Sequence, residues 1–323
     1  MEKRYIKSRP ETWKGRLSAE NLYLHEKVNC IDAEKDLVPN TANKTFALLG
    51  YACDEGVNRN QGRIGASQGP DALRKQLGKL PNHLPDTVQF WDLGDIACAD
   101  QDMEASQAAL ADKVKQALHT NAFTIIIGGG HDIAFGHYCG LRNYLGKEQT
   151  LGIINFDAHF DLRNSSQGNN SGTPFYQIAR DCNEQNIPFH YLCLGIRKDA
   201  NTQELYDTAR NLGVTYLERD SFDRFHSQEV AAVISSFLSK VDTVYVTIDM
   251  DGFSSAFAPG VSAASPMGYS PDIVVDSLEL IIRSGKLISM DVAELNPTHD
   301  RDEQTAKLAA SLLHFVMHEI ALL

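Results

Sequence analysis

Short apolar runs rich in β-branched residues alternate with helix-like segments along most of this chain. Eight such runs recur: TFALLGYA from Thr45, VQFWDL from Val88, FTIIIGG from Phe123, LGIINFD from Leu151, FHYLCLGI from Phe189, VTYL from Val214, TVYVTIDMD from Thr243 and KLISMDVAEL from Lys286. Several are apolar at successive positions, so both faces of the strand need covering, as in a parallel sheet sandwiched by helices. The intervening segments Met103–His119, Gln228–Leu238, Pro271–Ser284 and Glu303–Leu322 space their apolar residues as amphipathic helices do. The pattern predicts the α/β class, a three-layer α/β/α fold around a mostly parallel sheet of about eight strands.

No low-complexity linker divides the 323 residues and no solenoid-like repeat is present, so one domain spanning 1–323 is expected. Residues 1–44 lack a clear period and are expected to wrap the surface as an N-terminal extension. A net charge of −12 argues against binding phosphate backbones or anionic membrane, which need basic surfaces. No window approaches the ~20 apolar residues of a membrane span, and the N-terminal cations are not followed by the apolar stretch of a signal peptide. The six cysteines are scattered without a CxxC pair, which suits a reducing compartment. A cytoplasmic protein with a small-molecule partner is the resulting expectation.

Three polar motifs stand where strands end, the place at which open α/β sheets bind ligands. They are GGGHD at Gly128–Asp132, DAHFD at Asp157–Asp161 and DMD at Asp249–Asp251. Taken singly, GGGH could be a close-approach turn or a phosphate cradle, and a DxD could be a helix cap or a nucleotide–Mg²⁺ site. Taken together, they bring His131, Asp157, His159, Asp161, Asp249 and Asp251 to one edge of one sheet. Four carboxylates and two imidazoles without a thiolate favour a hard divalent ion such as Mn²⁺ over structural zinc. Four carboxylates exceed the needs of one ion, whereas two neighbouring ions can share them and lower the pKa of a water held between them. DVAELNP at Asp291–Pro297 adds Glu294, either as a cap or surface residue or as a carboxylate for a planar amidinium.

With these motifs in this order, the chain resembles the ureohydrolase superfamily of arginase and agmatinase, and within it formimidoylglutamase, from about Phe46 to the C-terminus. The resemblance implies an arginase-like catalytic domain with two Mn²⁺ ions per subunit. His131, Asp157, Asp161 and Asp249 would hold one ion. His159, Asp157, Asp249 and Asp251 would hold the other. Asp161 would also orient the attacking water, and Glu294 would hold the amidine. It further implies a closed homo-oligomer. Two departures from the arginase wording favour formimidoylglutamase: GFSSAFAPGVSA follows Asp251, and SGTP places Ser171 where a proton-shuttling histidine would stand. The segment Gly56–Arg74 resembles the formimidoylglutamase version of a shared glycine-rich element.

The implied reaction is N-formimidoyl-L-glutamate plus water giving L-glutamate and formamide, as in histidine breakdown, with Asp161 carrying a proton to the leaving amine. An agmatinase-like or guanidino-acid hydrolase releasing urea is the alternative, and a metal-stabilised binding protein a third reading. A substrate with two carboxylates calls for fixed cations, and Arg163 lies two residues past Asp161. Arg59, Arg63 and Arg197 are further candidates, each with a salt bridge as its competing role. Ser171 joins the substrate-binding candidates by position, since no histidine–carboxylate pair suggests a serine nucleophile. His314 and His318, one helical turn apart, lack the glutamate of an HExxH site and read as helix surface or packing.

Overall fold

In a computed structural model the chain is described at residues 4–18, 20–36 and 43–323. Among the described residues ten strands form one sheet: β1 (Tyr5–Ile6), β2 (Asn29–Cys30), β3 (Thr45–Ala52), β4 (Gln89–Ala97), β5 (Phe123–Gly128), β6 (Leu151–Phe156), β7 (His190–Ile196), β8 (Thr215–Glu218), β9 (Thr243–Asp249) and β10 (Leu287–Ala293). The main path runs β1-β4-β3-β5-β10-β9-β6-β7-β8, with β2 beside β4. Every pairing is parallel except that of β1 with β4. Eight of these strands are the expected ones.

The other two are two-residue strands in the N-terminal segment, too short to show a period. Tyr5 and Ile6 pair with Ile96 and Asp95. Trp13 and Leu24 bury themselves nearby, and the Trp13 indole donates to Asp92 Oδ2 at 2.7 Å. Of the residues expected to form the extension, 1–3, 19 and 37–42 lie outside the described ones.

Because side chains alternate along a strand, the central strands feed two cores. On one face Phe46, Leu48, Ile125, Ile154, Val246 and Val292 pack with the helices Gly69–Leu77, Ser227–Leu238, Pro271–Arg283 and Gln304–Leu322. On the other, Leu49, Ile126, Ile153, Tyr191 and Tyr245 pack with Met103–Leu118, Ile133–Leu145, Pro174–Gln185 and Gln203–Asn211. The three layers follow directly. Among the described residues no helix is long and apolar enough to cross a membrane.

His314 and His318 serve helix packing. Their rings stack at 3.9 Å, both lie near His83, and His314 Nε2 bonds the Pro81 carbonyl at 2.8 Å. His318 Nδ1 donates to the His314 carbonyl, so Nε2 is the acceptor for the His83 N–H at 3.1 Å. Burial, with the neighbouring histidines, holds both pKa values below the ordinary imidazole range. The folded protein therefore binds fewer protons here than the unfolded chain. Stability from this contact is complete above the ordinary value of about 6.5 and is lost on acidification below it. His318→Gln should flatten that acidic part of a melting-temperature profile by roughly 1–3 °C, the scale set by two half-exposed rings.

Candidate metal centre

Strands β5, β10, β9 and β6 are consecutive neighbours at the middle of the sheet and run parallel. Their C-terminal ends therefore share one edge, and each releases one motif there: GGGHD from β5, DVAE from β10, DMD from β9 and DAHFD from β6. The glycine loop lies hard against the end of β3. Gly130 N–H donates to the Cys53 carbonyl at 2.9 Å, and a Cβ at Gly129 would overlap that carbonyl. Only glycine permits this approach, which seats His131 over the sheet edge.

The six expected ligands converge in two groups. In the first, His131 Nδ1 faces Asp161 Oδ2 at 2.9 Å, Asp249 Oδ2 at 3.0 Å and Asp157 Oδ2 at 3.2 Å. In the second, His159 Nδ1 lies 3.3 Å from Asp251 Oδ1 and 3.4 Å from Asp157 Oδ1. Asp157 thus turns one oxygen to each group. Asp249 enters the first group through Oδ2, while its Oδ1 accepts the Asp251 N–H at 2.8 Å and caps the turn Met250–Gly252.

Hydrogen bonding shows which nitrogen of His131 faces the carboxylates as an acceptor. The Thr247 hydroxyl donates its one proton to Asp291 Oδ1 at 2.5 Å, so the 2.9 Å contact between Thr247 Oγ1 and His131 Nε2 carries the imidazole N–H. In neutral His131 the lone pair then lies on Nδ1, a buried atom without a hydrogen-bond partner that points at three carboxylate oxygens. Lone pair against carboxylate is repulsive unless a cation lies between them. Asp251 Oδ1 is a second buried atom without a hydrogen-bond partner, in the other group. Both orphaned atoms, with an all-oxygen-and-imidazole donor set, fit hard divalent ions.

The same crowding distorts proton affinities. Burial opposes a charged His131, but Asp249, Asp157 and Asp161 outweigh it and raise its pKa well above the usual range. His159 is raised likewise against burial by Asp251 and Asp157. Burial also opposes ionisation of Asp157, yet the two imidazoles hold it below the carboxylate range. Burial and then the Asp249 charge push Asp251 up, and Glu294 is raised by burial and by Asp249 and Asp251. Asp161 is raised to about 6 by burial and the Asp157 charge. Protons are the substitute when no metal ion compensates these charges, so metal uptake displaces them.

Asp161, Asp249, Asp251, His159 and Glu294 open onto a cavity of about 340 Å³. Asp161 and Glu294 adopt left-handed backbone angles, φ +49° and +63°. Glu294 Oε1 accepts the His131 N–H at 2.9 Å, which ties the fourth motif to the first. Ser171 lines the same cavity, and its Oγ accepts from Asn60 Nδ2 at 3.2 Å.

Only two of the four expected arginines reach this cavity. Arg163 lines it, and among the described residues its guanidinium has neither a hydrogen-bond nor an ion-pair partner. Arg63 lines it as well, held by the Val261 and Ser262 carbonyls at 2.6 and 2.9 Å and without a carboxylate partner. Arg59 and Arg197 do not line the cavity. Arg59 is taken up by Glu55 and Glu104 at 3.0 and 2.8 Å, and Arg197 by Asp199 at 2.6 Å. Sequence reading also passed over Thr247, Asp291 and Asn155, whose Nδ2 donates to Asp157 Oδ2 at 3.0 Å. Their signal was a polar residue inside an apolar strand, two positions before an aspartate in the cases of Asn155 and Thr247.

Comparison with known proteins agrees with this geometry. The arginase family model matches residues 44–318. A formimidoylglutamase of Clostridium tetani is 40% identical over 318 residues, covering 96% of this chain and 94% of that protein. One of Chromobacterium violaceum is 45% identical over 277 residues, covering 85% and 88%. The crystal structure of Trypanosoma cruzi formiminoglutamase with Mn2+2 is similar, with a TM-score of 0.77 at 25% identity over 86% of this chain and 94% of that one. A parallel sheet that gathers two sharing groups of carboxylates and imidazoles at its edge, in a chain with these relatives, belongs to the arginase family.

Proposed function

We propose that this protein is a formimidoylglutamase, a hydrolase that holds two Mn²⁺ ions at His131, Asp157, His159, Asp161, Asp249 and Asp251 and splits N-formimidoyl-L-glutamate into L-glutamate and formamide. One observation carries the substrate assignment: two arginines without carboxylate partners, Arg163 and Arg63, line the cavity that also exposes the acidic cluster. A substrate with a carboxylate at each end of its glutamate skeleton complements both, and guanidinium–carboxylate pairing supplies direction as well as charge. Agmatine carries no carboxylate and would leave both cations uncompensated.

Divalent ions at this site would lower the pKa of a water and offer positive charge to oxygen developing on the attacked carbon. The residues of the chain do the rest. The Glu294 carboxylate, fixed through His131 N–H, accepts the N–H groups of the formimidoyl unit and orients its carbon toward the acidic cluster. Water adds to that carbon, its bond to the glutamate nitrogen breaks, and the nitrogen leaves as an amine after taking a proton. Asp161, on the cavity wall beside the acidic cluster, is placed to deliver it. Ser171 cannot exchange protons near neutrality as a histidine does. Its hydroxyl, already an acceptor for Asn60, suits a hydrogen bond to substrate.

Incubating the Mn²⁺-loaded enzyme with formimidoylglutamate, agmatine and arginine tests this reading. Formamide and glutamate from the first, with no urea from the others, is the expected result. Urea from a guanidino compound with no formamide from formimidoylglutamate would overturn it.

A further inference from the structure

Below the proposed ligands the sheet carries a row of polar side chains where a core sheet ordinarily carries valine and isoleucine. Asn155 on β6, Thr247 on β9 and Asp291 on β10 stand in register across three neighbouring strands, and all three are completely buried. Asp291, at one end of this row, gathers the most hydrogen bonds. Its Oδ1 accepts the Thr247 hydroxyl at 2.5 Å, while its Oδ2 accepts the Tyr245 hydroxyl and lies 2.8 Å from His137 Nδ1. His137 is locked in turn: its Nε2 meets Ser289 Oγ at 2.6 Å, and its ring packs 4.4 Å from that of Tyr245. No atom of this group reaches the cavity.

We infer that Asp291, anchored by Tyr245 and His137, acts through Thr247 to fix which nitrogen of His131 is offered to a metal ion, so that Thr247, Asp291 and Tyr245 are positioning residues of the site. A threonine hydroxyl has one proton and can point it at either neighbour. With Asp291 held in place as an acceptor, that proton goes to Asp291, and Thr247 Oγ1 can only accept from His131 Nε2. The imidazole is thereby set with its N–H toward the sheet and its lone pair on Nδ1, toward Asp157, Asp161 and Asp249. A negative charge one hydroxyl beyond the ring also makes the imidazole a better electron donor, as the carboxylate partners of metal-bound histidines do. A buried carboxylate costs several kcal/mol in desolvation, and satisfying it with three donors in a core that valine could fill points to a service beyond packing.

The inference rests on the reading of the cluster as a two-metal site, and titration of metal-free protein with Mn²⁺, followed by the electron paramagnetic resonance signal of the free aqueous ion, tests the two separately. The parent is expected to take up two ions. Thr247→Val keeps the shape and removes the hydroxyl. It should weaken one of the two sites by about 10- to 100-fold, the range for loss of an outer partner, and leave the site built on His159 within about threefold. Thr247→Ser restores the hydroxyl and should restore parental affinity. Tyr245→Phe removes one anchor of Asp291 and should weaken the same site by about 3- to 10-fold, a fraction of the full outer-partner effect; it carries the test should Thr247→Val fail to fold. Parental affinity in both Thr247→Val and Tyr245→Phe, or a serine variant as weak as the valine one, would overturn the inference alone. A parent that binds no Mn²⁺ would remove the metal reading and the inference together.

Discussion

Asp157→Asn is expected to remove turnover and metal together, with kcat/KM falling by about 10³-fold or more, a loss of roughly 4 kcal/mol of transition-state stabilisation. Asp157 is completely buried and is common to both ligand groups, one oxygen facing His131 and the other His159. An asparagine has one acceptor oxygen and one NH₂. Whichever way it turns, a donor replaces an acceptor in one group, where a cation would have to sit. The fold should survive with some loss of stability, because an asparagine oxygen can keep the His159 N–H bond that Oδ1 accepts at 2.7 Å while its NH₂ gives up the bond from Asn155 Nδ2. Metal content by atomic absorption, measured beside activity and melting temperature, decides the matter. A variant that retains both ions and full activity would exclude Asp157 from the centre.

Arg163→Gln should act on substrate capture instead. Losing a charge-assisted pair to a substrate carboxylate costs about 2 kcal/mol, roughly 30-fold in affinity. The loss should appear as a raised KM for formimidoylglutamate with kcat changed by no more than about threefold, since the carboxylate pairs in the ground state and the transition state alike. An N-formimidoyl alkylamine, which has no carboxylate to lose, should be processed equally by variant and parent. Equal loss on both substrates would mean that Arg163 supports the loop or the cavity wall and does not grip the substrate.

The layered fold was legible because eight strands and four long helices each announce themselves within their own residues. Thr243–Asp249 reads as a strand from its β-branched run, and Gln304–Leu322 as a helix from its spacing, whatever packs on them. The metal motifs were legible for a related reason: in parallel strands, chemistry written at the C-terminal tip lands on one edge. What escaped depends on distant partners. Arg59 and Arg63 are four residues apart and equivalent on paper, yet one meets Glu104 and the other two backbone carbonyls next to the cavity. Thr247 and Asp291 were hidden for the same reason, since nothing in either strand alone reveals that the two are register partners. The two-residue strands Tyr5–Ile6 and Asn29–Cys30 exist only because β4 offers an edge to them.

The left-handed backbone at Asp161 and Glu294 sets a conflict between durability and chemistry. A residue with a side chain pays about 1 kcal/mol or more for that conformation, and glycine would relieve it at either position. Selection for heat resistance alone should therefore drift toward glycine in place of Asp161, but not of Glu294, whose Oε1 satisfies the buried His131 N–H; selection for growth on the substrate should hold both carboxylates.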